Sequence, residues 1–353
     1  MDKQHSSHNE ETIMHVKEHQ QNKKLSAAEI GDLFTNYLGD SLFSCMFEHF
    51  LEVVEDEDVK QFITFANEVS QKHTKAIEQI YQSEGIPVPV AFGESDVRNG
   101  APRLFSDTFM VFYTTEMSKA AMISYGNAIA AASRHDIIDY FDMCMQDSIA
   151  TYKKGITLLS EKGLDITPPT IPYPKKRDFV DKESFISVIT GKTRPLTALE
   201  IKHLQLNMNT NILGKALQLA FSQTTTMDEL RSYFRKGAEL SQETLLELEK
   251  LLVNEDLPAP KLMDAHITDA TEAPFSDKLM LFHTALAIAA GIENFGIAVS
   301  NILRHDIHLQ FGALSGKVAK FANEGTNLTI KYGWLEEPPT AADRDKLSSK
   351  PLH

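Results

Sequence analysis

Apolar residues recur at helical spacing through most of the chain. Phe62, Ala66, Val69, Ala76 and Ile80 predict a helix over about 58–83, and Phe109, Phe112, Tyr113, Met117 and Ala120 predict another over about 106–132. Ahead of these, Ser26 with Glu29 three residues on reads as a capping box, in which side chains and backbone amides satisfy one another at the start of a helix running to about Glu55. A fourth helix, about Asp136 to Glu161, must be separate from the third, because one helix across both would be about fifty residues long. Gly85-Ile86-Pro87 ends the second helix, since glycine can take positive φ and proline cannot continue the helix. The stretch from Gly85 to Phe105 holds Pro87, Pro89, Gly93, Gly100 and Pro102 and is too long for a tight helical hairpin. Two short turns around one long crossover is the connectivity of a ferritin-like four-helix bundle.

The whole pattern then returns. Leu25-Ser26-Ala27-Ala28-Glu29-Ile30 reappears 171 residues on as Leu196-Thr197-Ala198-Leu199-Glu200-Ile201, and Pro87-Val88-Pro89 as Pro258-Ala259-Pro260. Ser106-Asp107 reappears 170 residues on as Ser276-Asp277, Arg134-His135-Asp136-Ile137 as Arg304-His305-Asp306-Ile307, and Pro168-Pro169 as Pro338-Pro339. One residue is therefore lost in or beside the crossover, where loops tolerate length change. A period this long far exceeds the roughly 20 to 50 residues of solenoid repeats, so each copy should be a domain with its own core. Its first helix should run to about Ser222 and its second from Met227 to Leu252. The expected fold is all-α: two tandem ferritin-like four-helix bundles related by an internal repeat, over 25–167 and 196–340. Residues 1–24 are expected to be a disordered tail, 168–195 a Pro-rich linker and seam element, and 341–353 a fraying tail. Pro168, Pro169, Pro172 and Pro174 should make the linker stiff. Phe179, Val180, Phe185, Ile186, Val188 and Ile189 suggest a short ordered element over the interdomain seam.

Composition narrows the function classes. A length of 353 residues fits two domains, and a net charge of −14 argues against a nucleic-acid partner, which needs a concentrated basic surface. The basic run Lys175-Lys176-Arg177 is confined to the linker. Cys45 and Cys144 both lie in predicted helices, so no disulfide framework is indicated and a reducing cytoplasm is the natural setting. The N-terminus has no apolar stretch of the secretory kind. Leu279 to Ile292 is short of the roughly 20 residues that span a bilayer and reads as a buried helix, with His283 as a satisfied core histidine.

Candidate chemistry is sparse. A carboxylate-bridged dimetal centre would need a Glu from each of two helices and a Glu-x-x-His from each of the others. Copy one offers fragments: Glu48, Glu68, His73, Glu116 and Asp147. Glu116 follows Phe112 and Tyr113 on the side expected to face the core, where a lone carboxylate is costly unless paired or coordinated. Against a metal site, Glu68 and His73 are five apart and Gln71 stands where histidine is wanted. Copy two carries Leu219, Thr244, Leu286 and Lys317 in place of Glu48, His73, Glu116 and Asp147, while Glu239 and Gln242 keep the helix-two pair. The repeated Arg-His-Asp has a functional reading as a polar or metal site. Its structural reading, which we favour, places His at the end of helix three and Asp as the cap of helix four. Tyr125-Gly126 and Phe295-Gly296 are equivalent and suggest close helix approach, and His5, His8, His15 and His19 sit scattered in a polar tail. No Gly-rich phosphate loop, nucleophile elbow or zinc spacing occurs.

Glu84-Gly85-Ile86-Pro87-Val88-Pro89, Leu104-Phe105-Ser106-Asp107, Tyr125-Gly126, Arg134-x-Asp136-Ile137, Glu161-Lys162-Gly163 and Pro168-Pro169 together resemble an uncharacterised ferritin-like family of endospore-forming bacteria, the domain of unknown function 3231. The resemblance covers Leu25 to Pro339, though Glu255-Asp256 replaces Glu84-Gly85 in copy two. It implies tandem four-helix bundles, some members carrying a spore-coat name, and brings no catalytic residues. The expected function is that of a non-enzymatic structural or interaction protein, cytoplasmic or spore-associated, with protein partners unidentified, no nucleic acid, no membrane span, no cofactor, and homo-oligomerisation left open. Two alternatives stand beside it: an iron or manganese metalloprotein using Glu48, Glu68, His73 and Glu116, and a small-ligand carrier with an apolar cavity between helices.

Overall fold

The computed structural model describes residues 23–164, 168–186 and 194–348. Eight long helices dominate it: α1 Ala27–Val53, α2 Glu57–Glu84, α3 Asp107–Ala131 and α4 His135–Glu161 in copy one, then α5 Ala198–Thr224, α6 Asp228–Val253, α7 Asp277–Asn301 and α8 His305–Lys331 in copy two. Among the described residues there is no strand, and the chain is an all-α tandem repeat. The helix limits expected from periodicity lie within about two residues of those observed. The His-rich tail, Val188 and Ile189 lie outside the described residues. In the last segment Arg344–Ser348 forms a short helix, and residues 349–353 lie outside the described residues.

Local chemistry explains the helix ends. Both capping boxes form, with Ser26 and Thr197 hydroxyls accepting from the Glu29 and Glu200 amides while each glutamate accepts in return. Ser106 and Ser276 cap α3 and α7 more simply, their hydroxyls accepting from the Phe109 and Leu279 amides. Gly85 closes α2 with φ of 67°, as its composition suggests. Copy two reaches that conformation with Asp256, at φ of 57°, a strained choice for a residue with a side chain.

Within each copy, α1 packs along α2, α3 along α4, α5 along α6 and α7 along α8. Two glycines at equivalent places set helix spacing. A Cβ on Gly155 would clash with Thr115 Oγ1, and one on Gly325 with the Tyr233 hydroxyl. The glycines singled out from the sequence play no such part: Gly126 would meet only Met145, at an ordinary 3.6 Å, and Gly296 faces open space. They lie on exposed or lightly covered helix faces, which periodicity alone could not distinguish from packed ones.

The two copies meet through their crossovers about a local two-fold axis. Val97 pairs antiparallel with Phe275, and Phe105 with Ile267. A shift of 170 residues converts one pair into the other. The same relation links Arg98 N–H donating to the Pro274 carbonyl (2.8 Å) with Thr268 N–H donating to Leu104 (3.0 Å). It also links Ser106 N–H to His266 and Ser276 N–H to Asp96, both at 2.9 Å. One hydrophobic core therefore runs through both copies, joining Phe50, Phe105 and Tyr113 to Phe221, Leu279 and Met280. A second cluster around Tyr81, Tyr140 and Phe141 fills the far end of copy one.

The seam is thus closed by the crossovers rather than by residues 178–186. Phe179 and Val180 are exposed. Phe185 lies under the Arg194 guanidinium, 4.1 Å from its ring centre, and the Ile186 carbonyl accepts from His305 N–H at the start of α8. Helix α7 is also less buried than expected. It is long and apolar enough by length and composition to cross a membrane. Leu279, Met280, Leu281 and His283 are buried at the junction, whereas Ile292, Ile297 and Val299 are exposed.

Candidate functional site

The most concentrated polar chemistry lies inside copy one, where α1, α2 and α4 converge on His73. This side chain is 1% exposed. Its Nδ1 lies 3.2 Å from Asp40 Oδ2 on α1, and its Nε2 lies 3.2 Å from Asp147 Oδ2 on α4. Burial disfavours charge on the ring, but the adjacent Asp40 carboxylate and the bonds to Asp147 and Asp40 outweigh it, so the imidazole is held protonated well above its ordinary range. Asp147 is correspondingly held below its ordinary value, first by His73 and then by Lys72, whose Nζ donates to it at 2.7 Å. Asn36 extends the network, donating to Asp40 (2.6 Å) and Tyr125 (3.1 Å) and accepting from the Tyr140 hydroxyl (2.7 Å).

The four residues proposed from the sequence as metal ligands do not come together. Glu48 and Glu68 are exposed. Glu116 pairs with Lys119 one turn on and lines a groove beside Pro168, Pro169 and α5, away from His73. Burial raises its carboxyl above the ordinary value against the pull of Lys119. Its predicted core-facing position fails because the face of α3 that carries it looks toward α5, not α2. Of the five fragments, only His73 and Asp147 meet, joined by Asp40, which was missed. An aspartate in the apolar run Leu38-Gly39-Asp40-Ser41-Leu42 was the available signal. The two carboxylates sit on opposite edges of the ring, so one ion cannot contact all three. Among the described residues no three His, Cys, Asp or Glu side chains are disposed to hold a metal. Copy two lacks the network, with Thr244 bonded to its own helix at Leu240 and Lys317 paired with Glu243.

The Arg-His-Asp repeat is structural in both copies, by a route different from the expected one. Arg134 is buried and forks onto Asp136 (3.0 and 2.6 Å) while also donating to Glu84 at 2.5 Å. Arg304 forks onto Asp306 and reaches Glu255 at 3.6 Å. Asp136 and Asp306 bind arginine instead of capping the helix, and His135 and His305 are exposed. The cap is supplied from afar. Glu29 accepts from the Ser133 and Arg134 amides (2.8 Å each), and Glu200 accepts from those of Leu303 and Arg304 (3.2 and 3.1 Å). One carboxylate thereby serves the start of the first helix and the start of the fourth. Burial opposes its charge, yet these donors, with Arg194 added at Glu200, bring both carboxyls down to about 2.

A second polar pair marks the two-fold axis. Tyr113 and His283 occupy equivalent repeat positions, and the tyrosine hydroxyl lies 2.7 Å from His283 Nε2. Burial brings His283 down to about 4, so the ring is neutral, and its Nδ1 has no partner. The core histidine expected from the sequence is therefore only half satisfied. Cys45 and Cys144 are buried free thiols, and burial pushes Cys45 up to about 12.

Fold and polar sites define an all-helical tandem-repeat protein whose buried ionic groups tie helices together. The chain belongs to the family described as "Protein of unknown function (DUF3231)", whose model matches it twice, over residues 15–176 and 184–347. No curated protein matches it. Among solved structures, it is similar to a protein of Bacillus halodurans C-125 described as a "putative spore coat protein". The similarity has 21% identity, a TM-score of 0.40, and coverage of 44% of this chain and 99% of that one.

Proposed function

We propose that this protein is a non-enzymatic structural or interaction protein, built as two ferritin-like four-helix bundles, that works in the cytoplasm or in association with the spore. The observation that carries this reading is the saturation of its buried ionic groups. Glu29, Glu200, Arg134, Arg304 and the Asp40–His73–Asp147 bridge all spend their bonds on helix-to-helix ties. An imidazolium with both nitrogens committed to carboxylates has no lone pair for a metal or for proton abstraction. The cysteines are kept as thiols, which are poor nucleophiles. The ferritin-like part of the reading rests on connectivity: a short turn, a long crossover and a second short turn in each copy. The spore setting rests on the family resemblance.

The deciding measurement is metal content by inductively coupled plasma mass spectrometry on tag-free protein purified without chelator, before and after incubation with iron(II) or manganese(II). The expected result is sub-stoichiometric metal, unchanged in Glu116→Ala and His73→Ala. Near-stoichiometric iron or manganese lost in either variant would overturn the proposal in favour of the metalloprotein reading.

A further inference from the structure

Between the two copies, α1, α3 and α4 on one side and α7 on the other flank a cavity of about 260 Å³ that opens to solvent. Its walls are mainly apolar, with Phe43, Met117 and Phe141 opposite Leu286, Ala287 and Ala290, and carry polar groups at their margins. The sequence explains why it opens on this side of the two-fold axis. Where α3 carries Met117 and Lys119, α7 carries Ala287 and Ala289, so two long side chains are missing from one wall. An engineered apolar cavity of about 150 Å³ is enough to admit benzene, so this space accommodates a larger, bicyclic molecule.

A second feature points to a ligand. His283 lines the cavity, is 1% exposed, and its Nδ1 has no hydrogen-bond partner. The Tyr113 hydroxyl has His283 Nε2 as its acceptor at 2.7 Å, and a phenol without another acceptor donates. The neutral ring then carries its hydrogen on Nδ1, a buried donor lacking an acceptor. Leaving a buried donor unpaired is costly, and a ligand acceptor would recover that cost. Asp32, Asp40 and Glu293 line the same cavity, and the chain carries a net charge of −14, so an anionic ligand is disfavoured.

We propose that this inter-repeat cavity is a binding site for an uncharged, apolar molecule of about bicyclic size whose carbonyl or ether oxygen accepts a hydrogen bond from His283 Nδ1. The site is independent of the metal question, because it uses none of the residues that question turns on except the Asp40 wall. It gives the protein a small-molecule cargo or effector held at the junction of its halves, where occupancy adds to the contact between them.

The test uses 6-propionyl-2-(dimethylamino)naphthalene, an uncharged bicyclic ketone whose emission moves to the blue in apolar surroundings. Titrated into the full chain, it should show a saturable blue shift with one site per chain and should raise the unfolding midpoint with concentration. Ala290→Phe, which fills the cavity, should abolish the shift. His283→Phe, which keeps an aromatic ring but removes the donor, should weaken binding about tenfold. Should Ala290→Phe not fold, Ala289→Phe at the exposed rim supplies the same obstruction. The proposal is overturned by absence of saturable binding, or by binding that survives obstruction in a variant with wild-type circular dichroism.

Discussion

Single residues hold this protein together by serving two helices at once. Glu29 and Glu200 each close a capping box and also accept the first amides of the fourth helix of their copy. Their carboxyls fall from an ordinary 4.5 to about 2 on folding, so the native state binds fewer protons than the unfolded chain between those values. Their stabilisation is complete above about pH 4.5 and is lost as pH falls toward 2. The double variant Glu29→Gln/Glu200→Gln should therefore be less stable at pH 7 and show a flatter stability profile below pH 4.5, measured by urea unfolding across that range. An unchanged profile would mean that the donors to these carboxylates contribute no net energy. Asp256 makes a contrary case. At φ of 57° it occupies the place of Gly85, and Asp256→Gly should raise stability by about 0.5–1 kcal/mol in the same assay. The capping boxes were legible in the sequence because their partners are three residues apart. The second role of each glutamate was not, because its donors lie 103 to 105 residues away.

At the scale of elements, helix spacing depends on which glycine faces a neighbour. Gly155 and Gly325 hold equivalent positions on α4 and α8, and each leaves no room for a methyl group beside Thr115 or Tyr233. Gly155→Ala and Gly325→Ala should each destabilise by about 1–3 kcal/mol through forced displacement of the facing side chain. Gly296→Ala, with open space around it, should be neutral or slightly stabilising through helix propensity. Denaturant midpoints for the three variants decide the point, and equal effects at Gly296 and Gly325 would refute it. Helix lengths and turns could be read from the chain, since period and punctuation are local. The facing of each helix could not, and Glu116 shows the consequence: its residue spacing matched a core stripe, yet neighbouring α5 made that stripe a groove beside the linker.

The whole molecule is a two-fold arrangement made within one chain. The crossovers pair in symmetry-related bonds, and the core continues across them, so the interface should hold without the covalent linker. Residues 1–176 and 184–353, co-expressed as separate chains with a tag on one, should co-purify at equal stoichiometry and unfold together. Independent elution of the halves would show that the linker, and not the crossover pairing, keeps them joined. The Tyr113–His283 contact belongs to this scale as well, since it exists only where equivalent positions face each other across the axis.

By itself the sequence determined the repeat, the all-α class, the helix limits and the capping boxes, because each is set by periodicity or by partners within a turn of helix. It also determined the family, through motifs that recur along the chain. Only the tertiary structure decided that His73 lies between Asp40 and Asp147, that Glu48, Glu68 and Glu116 stay apart, and that the crossovers close the seam. It alone placed a cavity with an unpartnered histidine nitrogen beside that seam. These outcomes depend on the rotation of each helix about its axis and on contacts between residues more than thirty positions apart. Both are fixed by the packing of all eight long helices together and are carried by no local stretch of chain.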